Sequence, residues 1–184
     1  DSTVSAHYLI KGNGGVAQIV PDAMRAWHGG RGSWRGLPDV NSLSLGIEIV
    51  NWGFEGDHVP EDVDRSSCVT LSGSPHKWFP FPEEQYQSLA KVLIDFKERW
   101  HIQPSFFVGH SSIAPGRKVD PGPLFPWERL YREFNIGAWV DDLTQDLRFV
   151  ELPKKGAEIL WTQMRLRDYG YGCPLTGNLD KETQ

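Results

Sequence analysis

The segment "PEEQYQSLAKVLIDFKERWH", residues 82–101, decides the fold class, because its apolar residues recur every three or four positions. That spacing places them on one face of a helix. Pro82 falls in the expected first turn, and Glu83 and Glu84 follow it, where carboxylates interact favourably with the helix dipole. The segment therefore predicts an amphipathic helix whose apolar face consists of Tyr86, Leu89, Leu93, Phe96 and Trp100.

Short runs typical of β-strands lie on both sides of this helix. "SAHYLI" (5–10) and "VAQIV" (16–20) predict two strands that the turn "KGNGG" joins as a hairpin. "SLGIEIVN" (44–51) predicts a central strand, and "SFFVG" (105–109) predicts another strand. A second short helix is predicted over "PWERLYREFNIG" (126–137). Strands that alternate with amphipathic helices indicate an α/β or mixed α+β layer fold.

Three other segments have a different texture. The Gly-rich stretch 25–41 predicts an ordered loop, and 55–78 has no clear period, which predicts an irregular insertion. Near residue 150 the composition changes again: "LPKK" is typical of a linker, and 156–172 predicts one more helix. We expect this helix to begin a second module that is truncated. Its apolar members are Ile159, Leu160, Met164 and Leu166.

Composition excludes some classes of function. The net charge of the 184 residues is −5, which gives no support to nucleic-acid binding, because contacts to phosphates require a basic excess. No run of eighteen or more apolar residues is present, so no transmembrane segment is predicted. Cys68 and Cys173 fit no metal-binding spacing. They are either free thiols or one disulfide.

The stretch "GHSSIAPGRKVDPGP" (109–123) contains the strongest chemical pattern. His110 and Asp120 supply a nitrogen and an oxygen donor of the kinds that zinc accepts, and the prolines and glycines of the stretch restrict how the loop can move. The same pair could instead be a capping pair or a buried hydrogen bond. Lys118 could stabilise an oxyanion that forms near a metal, or it could be an ordinary surface charge.

Glu48 is the second chemical candidate, because it interrupts the apolar strand "GIEIV". In a strand it faces the same side as Gly46 and Val50. A carboxylate buried in such a strand is costly unless it is paired or used. The alternatives are a buried salt bridge and a general base that acts beside a metal-bound water.

Five segments, in this order, resemble one enzyme family: "VSAHYLI" (4–10), "RAWHGG" (25–30), "SLGIEIVN" (44–51), "GHSSIAPGRKVDPGPLFPW" (109–127) and "IGAW" (136–139). They are similar to the zinc-dependent N-acetylmuramoyl-L-alanine amidases of the AmpD and AmiD type. The tail resembles the first helix and turn of a helical peptidoglycan-binding module, over a shorter match.

The resemblance implies a mixed β-sheet flanked by helices and a division of the chain into three parts. These are an amidase catalytic domain (1–140), a linker (141–155) and the start of a peptidoglycan-binding module (156–184). In the family, zinc is held by two histidines and an aspartate, and a water takes the fourth position. The matching ligands are His110 and Asp120. We expect this sequence to begin after the strand that carries the other histidine.

The resemblance also assigns roles in the reaction, which would be hydrolysis of the amide between N-acetylmuramic acid and L-alanine. Glu48 would take a proton from the zinc-bound water and give it to the leaving amine, and Lys118 would stabilise the charge on the tetrahedral oxygen. Arg117 would pair with a carboxylate of the stem peptide in a forked contact. The remaining matches are Trp27, His28 and Asn51, which line the cleft, and His7, which lies beside it. For Trp27 packing is an equal alternative.

Two other functions stay open from the residues. A recognition module that binds peptidoglycan without cutting it would keep this fold, but it need not keep both Glu48 and Asp120. A cytoplasmic amidase that recycles anhydro-muropeptides would keep the chemistry. The tail and the 55–78 insertion favour the bacterial envelope, so we expect a periplasmic protein that a leader outside these residues anchors.

Overall fold

A three-stranded sheet forms the centre of the computed structural model, which describes residues 4–139 and 156–183. Strand β1 (Tyr8–Ile10) lies between β2 (Val16–Gln18) and β3 (Ile47–Ile49). β1 pairs antiparallel with β2, which confirms the predicted hairpin, and parallel with β3. The prediction of β3 as a central strand is wrong for the described residues, because β3 lies at the edge of this sheet.

The predicted amphipathic helix is confirmed as α2 (Glu83–Arg99), with Pro82 just before its first turn. Trp100 was predicted on its apolar face, but it follows the last helical residue and is exposed. The apolar face of α2 packs on β1 and on α4 (Trp127–Phe134), which is the second predicted helix. Burying a large apolar side chain contributes about 1.5–3 kcal/mol, so this cluster supplies much of the driving force for folding. Its buried members are Ile10, Tyr86, Leu89, Ala90, Leu93, Phe125, Leu130 and Ile136.

The segment between α2 and α4 differs from its prediction. Residues 105–109 do not form a strand: a 3-10 helix covers Pro104–Phe106, and the chain then runs extended without pairing in the described sheet. Phe107 and Val108 favour a strand only where a partner strand is available, and Pro104 instead begins a tight turn. His110 therefore begins a short helix, α3 (His110–Ile113), which starts directly after this extended segment.

The two irregular segments are ordered. The loop 25–41 leads into α1 (Val40–Leu43), and the side-chain Oδ1 of the buried Asn41 accepts hydrogen bonds from the backbone N–H groups of His28 and Gly29. The insertion 55–78 consists mainly of turns and contains a short antiparallel pair, β4 (Val69–Thr70) and β5 (Lys77–Trp78). The sequence did not indicate this pair, since each of its strands has only two residues.

The predicted tail helix is confirmed as α5 (Gly156–Tyr169), but its expected apolar face is not a core face. Leu160 and Met164 are exposed, and the fully buried side chain of the helix is Gln163. The Gln163 amide bonds to the loop after the helix, including the N–H groups of Thr176 and Gly177. The predicted linker, 141–155, lies outside the described residues.

Two further predictions concern thiols and membranes. Cys68 and Cys173 are both free thiols in the structure, which decides between the alternatives left open for them. Within 4–139 and 156–183, no helix has the length and apolar character needed to cross a membrane.

Candidate active site

A cavity of about 710 Å³ lies between β3, the inner face of α2 and residues 101–110. Most of its lining is apolar or aromatic, and a few polar side chains project into it, as is usual for a ligand site. Five of the predicted site residues line this cavity: His28, Glu48, Asn51, His110 and Asp120. The fold therefore brings the predicted metal ligands and the predicted base to one place.

His110 and Asp120 meet directly, although ten residues separate them in the chain. His110 Nδ1 lies 3.0 Å from Asp120 Oδ2, because the loop folds back and the Ser111 N–H donates to the Asp120 carbonyl. The side-chain interaction with His110 is the main cause that holds the pKa of the Asp120 carboxyl below its ordinary value, and the nearby Lys118 charge acts in the same direction. Asp120 is therefore a carboxylate at neutral pH.

The second nitrogen of His110 fixes the chemistry of this pair. His110 Nε2 lies 3.1 Å from the carbonyl oxygen of Gly29, which can only accept, so Nε2 carries the hydrogen. A neutral His110 then points the Nδ1 lone pair at the Asp120 carboxylate, which is also an acceptor. Either a proton or a metal cation placed between His110 Nδ1 and Asp120 Oδ2 would remove this clash of two acceptors. In metal sites, the ring nitrogen of histidine that does not bind the metal commonly donates to a backbone carbonyl, as Nε2 of His110 does here.

The donor set fits zinc in type but supplies only two protein ligands. Catalytic zinc sites use three protein ligands and leave the fourth position for water or substrate. Among the described residues, no group of three or more His, Cys, Asp and Glu side chains is arranged to hold a metal. His110 and Asp120 can thus be two of the three ligands of such a site.

Glu48 lines the cavity from the middle of β3, and its side chain is exposed. Ile47 and Ile49 face the core side, as the alternation of a strand requires. The alternative of a buried carboxylate is wrong, because the Glu48 side chain is exposed. A buried salt bridge is therefore not its role, and the carboxylate is accessible to water and to a ligand.

Asn51 and His28 also line the cavity, but hydrogen bonds within the protein hold them. Asn51 Nδ2 donates to the Pro80 carbonyl at 3.0 Å, and its Oδ1 accepts from the Gly53 N–H at 2.7 Å. His28 Nε2 lies 2.8 Å from Ser44 Oγ. Burial, followed by the neighbouring His7, lowers the pKa of His28 to about 4, so this ring is neutral at physiological pH.

His7 and Trp27 lie outside the lining of the cavity in the described residues. His7 is buried: its Nδ1 accepts from the Gly46 N–H and its Nε2 donates to the Met24 carbonyl, both at 3.0 Å. His7 therefore makes hydrogen bonds within the core. Trp27 is 53 % exposed and stacks under the Arg25 guanidinium, so packing in the core is not its role.

Arg117 and Lys118 are likewise absent from the cavity lining over the parts of the chain that the structure describes. Arg117 Nη2 donates to the Gly29 carbonyl at 3.1 Å and to the Arg31 carbonyl, which occupies both of its hydrogens. The forked contact expected for Arg117 therefore cannot form through Nη2 in this arrangement. Lys118 is half-buried, two residues before Asp120.

An aromatic wall of the cavity was missed in the sequence. Trp52, Phe54 and Trp78 line the cavity from the two ends of the 55–78 insertion. Trp78 also packs on Gly122, where a Cβ would lie 3.0 Å from its ring. The signal was present as aromatic residues on each side of the insertion, but nothing in their spacing showed that the two ends meet.

Comparison with known proteins identifies the family to which the sequence is similar. Residues 1–123 match the N-acetylmuramoyl-L-alanine amidase family Amidase_2. The chain is 40 % identical over 149 residues to the amidase AmiD of Escherichia coli, which covers 77 % of this chain and 48 % of AmiD. It is 37 % identical over 126 residues to the 1,6-anhydro-N-acetylmuramyl-L-alanine amidase AmpD of Citrobacter freundii, covering 68 % of this chain and 54 % of AmpD. The chain thus spans about half the length of these relatives.

Solved structures show the same mixed sheet with flanking helices. The complex of E. coli AmiD with anhydro-N-acetylmuramic acid-L-Ala-D-gamma-Glu-L-Lys matches with a TM-score of 0.73 and 34 % identity, over 95 % of this chain and 65 % of AmiD. AmpDh3 of Pseudomonas aeruginosa matches with a TM-score of 0.73 and 30 % identity, over 98 % of this chain and 79 % of AmpDh3. By its sequence and by its fold, the chain belongs to the N-acetylmuramoyl-L-alanine amidase family.

Proposed function

We propose that the cavity is the active site of a zinc-dependent amidase that cleaves the bond between N-acetylmuramic acid and L-alanine in peptidoglycan or muropeptides. One observation carries the proposal: the accessible Glu48 carboxylate and the adjacent pair His110 and Asp120 line the same cavity. The names of the relatives AmiD and AmpD support the reaction, and the muropeptide in the AmiD complex supports the substrate class.

His110 Nδ1 and Asp120 Oδ2 would hold the zinc, with Gly29 fixing the outer nitrogen of His110. When bound, zinc supplies a water whose pKa is close to neutral and polarises the amide carbonyl. The third protein ligand would come from outside the described residues, and the family resemblance makes it a histidine.

Glu48 would be the general base and then the general acid. Its carboxylate would accept a proton from the attacking water and later donate it to the nitrogen of L-alanine, so that the peptide leaves as a neutral amine. Because the Glu48 carboxylate is exposed, it can contact a substrate, and the free protein does not have the cost of a buried, unpaired charge.

Lys118 and Arg117 have supporting roles in the proposal. Lys118 would stabilise the negative charge that develops on the amide oxygen, which requires its long side chain to turn towards the cavity. Arg117 would bind a stem-peptide carboxylate through Nη1 or Nε, since Nη2 is bonded to the 29–31 loop. Trp27 would add a surface for the substrate at the rim.

We also propose the location and the arrangement of domains that the sequence indicated. Residues 1–140 would be the catalytic domain and 156–184 the start of a peptidoglycan-binding module, in a protein of the bacterial periplasm. The resemblance of the tail to a wall-binding module and the 55–78 insertion support this over a cytoplasmic recycling enzyme.

The full-length protein, loaded with zinc, should release a peptide with a free L-alanine amine from an anhydro-muramyl peptide. Mass spectrometry of both products identifies the bond that is cut. A protein that binds the muropeptide and leaves it intact would instead be a recognition module, and the proposed reaction would be wrong.

A further inference from the structure

We infer that the segment 169–183, which begins at the last residue of α5, positions the loop that carries His110 and Asp120. This inference rests on the proposed function, and it differs from a tail that acts only as a wall anchor. The segment contacts two neighbouring loops, 31–37 and 113–117. Loop 113–117 lies between the two predicted metal ligands, and loop 31–37 follows Gly29, whose carbonyl oxygen contacts His110.

The first contact joins the segment to the loop around Trp34. The Arg35 N–H donates to the Gly170 carbonyl at 2.8 Å, and Arg35 Nη1 donates to the Tyr169 carbonyl at 2.9 Å. The Tyr171 ring meets the Trp34 ring edge to face, with 5.2 Å between the centroids. Trp34 is only 5 % exposed, and it also lines the cavity, so Tyr171 supports a wall of the proposed active site.

The second contact reaches the loop between the two metal ligands. Gly116 has a left-handed backbone with φ of +71°, and a Cβ at this position would lie 3.1 Å from the Lys181 carbonyl oxygen. Residues Ile113 and Ala114 of the same loop belong to the small buried cluster of Trp34, against which Tyr171 packs. The segment therefore touches the ligand loop both directly and through Trp34.

A short path then leads from Trp34 to His110. The Ser33 N–H donates to the Ile113 carbonyl at 2.9 Å, which ties the loop to the end of α3. Four residues earlier, the Gly29 carbonyl accepts from His110 Nε2 and from Arg117 Nη2. A shift of the Trp34 loop would thus move the acceptor that orients His110.

The geometry gives Tyr171 the role of a positioning residue, since it acts through Trp34 and touches neither the ligands nor the cavity. Removing a group that orients a metal ligand commonly costs 10–100-fold in metal affinity. A displacement of about 1 Å far from the chemistry can lower turnover about 10²-fold. The contact with Tyr171 should accordingly affect the metal site as well as the stability of the tail.

The test is amide hydrogen exchange in the full-length protein with Tyr171→Ala, compared with Tyr171→Phe, which keeps the ring. Exchange should become at least about tenfold faster in Tyr171→Ala at the bonded N–H groups of Ser33, Ser111 and Lys118, and zinc affinity should fall about 10–100-fold. Tyr171→Phe should resemble the wild type. Trp161→Ala is the matched control, because Trp161 lies on α5 and is 62 % exposed.

If Tyr171→Ala does not fold, Arg35→Met provides the same test, since it removes the donor to Tyr169 and keeps most of the side-chain stem. Faster exchange that stays within 169–183, with unchanged Ser33, Ser111 and Lys118, would overturn the inference. A wild-type protein that neither retains zinc nor cleaves muropeptides would refute the proposed function instead. The hydrogen-exchange rates can be measured whether or not the protein cleaves muropeptides, so failure of the inference and failure of the proposed function can be told apart.

Discussion

At the residue scale, the contacts of the two His110 nitrogens are the main structural support for a metal site. Nε2 donates to the Gly29 carbonyl, so in the neutral ring Nδ1 is an acceptor that faces another acceptor, the Asp120 carboxylate. The sequence predicted the two donor types and their loop. It could not predict the tautomer, because Gly29 lies far away in the chain and only the fold brings it to His110.

We expect Asp120→Ala to lose bound zinc, because only His110 and the proposed second histidine are then left to hold the metal, and the charged ligand is gone. Asp120→Asn should retain a weaker site, since its amide oxygen is a poorer donor to a cation than a carboxylate. Metal content after dialysis, measured on the full-length protein, checks both variants. Undiminished zinc in Asp120→Ala would show that this loop does not bind the metal.

His28 should make folding stability depend on pH. Its pKa in the folded protein is about 4, below the ordinary value of 6.5, because burial and the neighbouring His7 disfavour the charged ring. The unfolded state therefore binds more protons in this range, so stability is complete above pH 6.5 and falls as the pH decreases towards about 4.

Urea unfolding of metal-free protein at several pH values tests this dependence. His28→Asn should show a shallower loss of unfolding free energy between pH 6.5 and about 4 than the wild type does. Asp120, whose pKa is also lowered, contributes equally to both proteins. Parallel curves for the two proteins would mean that His28 does not titrate in this way.

At the element scale, local periodicity was a good guide and strand propensity was not. The apolar spacing of 82–101 predicted α2 almost to the residue, because one helix face carries its own signal. The run 105–109 was predicted as a strand, and it forms a 3-10 helix followed by an unpaired extended segment, because a strand depends on a partner that local sequence does not specify. The tail helix was found, but its core residue, Gln163, is polar and gave no apolar signal.

The residue that precedes β3 offers a test of how tightly this element packs. A Cβ at Gly46 would lie 2.3 Å from Cγ of His28, so the ring rests directly on the Gly46 backbone. Gly46→Ala should lower the unfolding free energy by about 1–3 kcal/mol, the usual cost of overpacking. It should also displace His28 from the cavity wall.

Gly12→Ala is the matched control, because nothing lies within 4 Å of a Cβ at that position. Its effect should stay within about 0.5 kcal/mol, as for most surface substitutions. Thermal or urea unfolding of the two variants gives the comparison. An equally small effect for Gly46→Ala would show that the His28 ring can move away at no cost.

At the scale of the whole molecule, the five matching segments predicted the family and the mixed sheet with flanking helices, both of which the comparisons confirm. The common cavity of Glu48, His110 and Asp120 followed from the resemblance and not from their spacing. The contacts of the tail with Trp34 could not be predicted, because they join residues more than 130 positions apart through aromatic packing and backbone bonds. The hydrogen bonds of Arg117 to the Gly29 and Arg31 carbonyls could not be predicted either, because these residues are also far apart in the chain.

The most direct test of the account is the turnover of Glu48→Gln on a soluble muropeptide. The substitution keeps the size of the side chain and removes only its ability to accept a proton, at an exposed position where folding should be unaffected. The account predicts unchanged fold and zinc content with turnover lowered about 10²–10⁴-fold, the usual contribution of a general base. Turnover close to that of the wild type, with zinc retained, would contradict it.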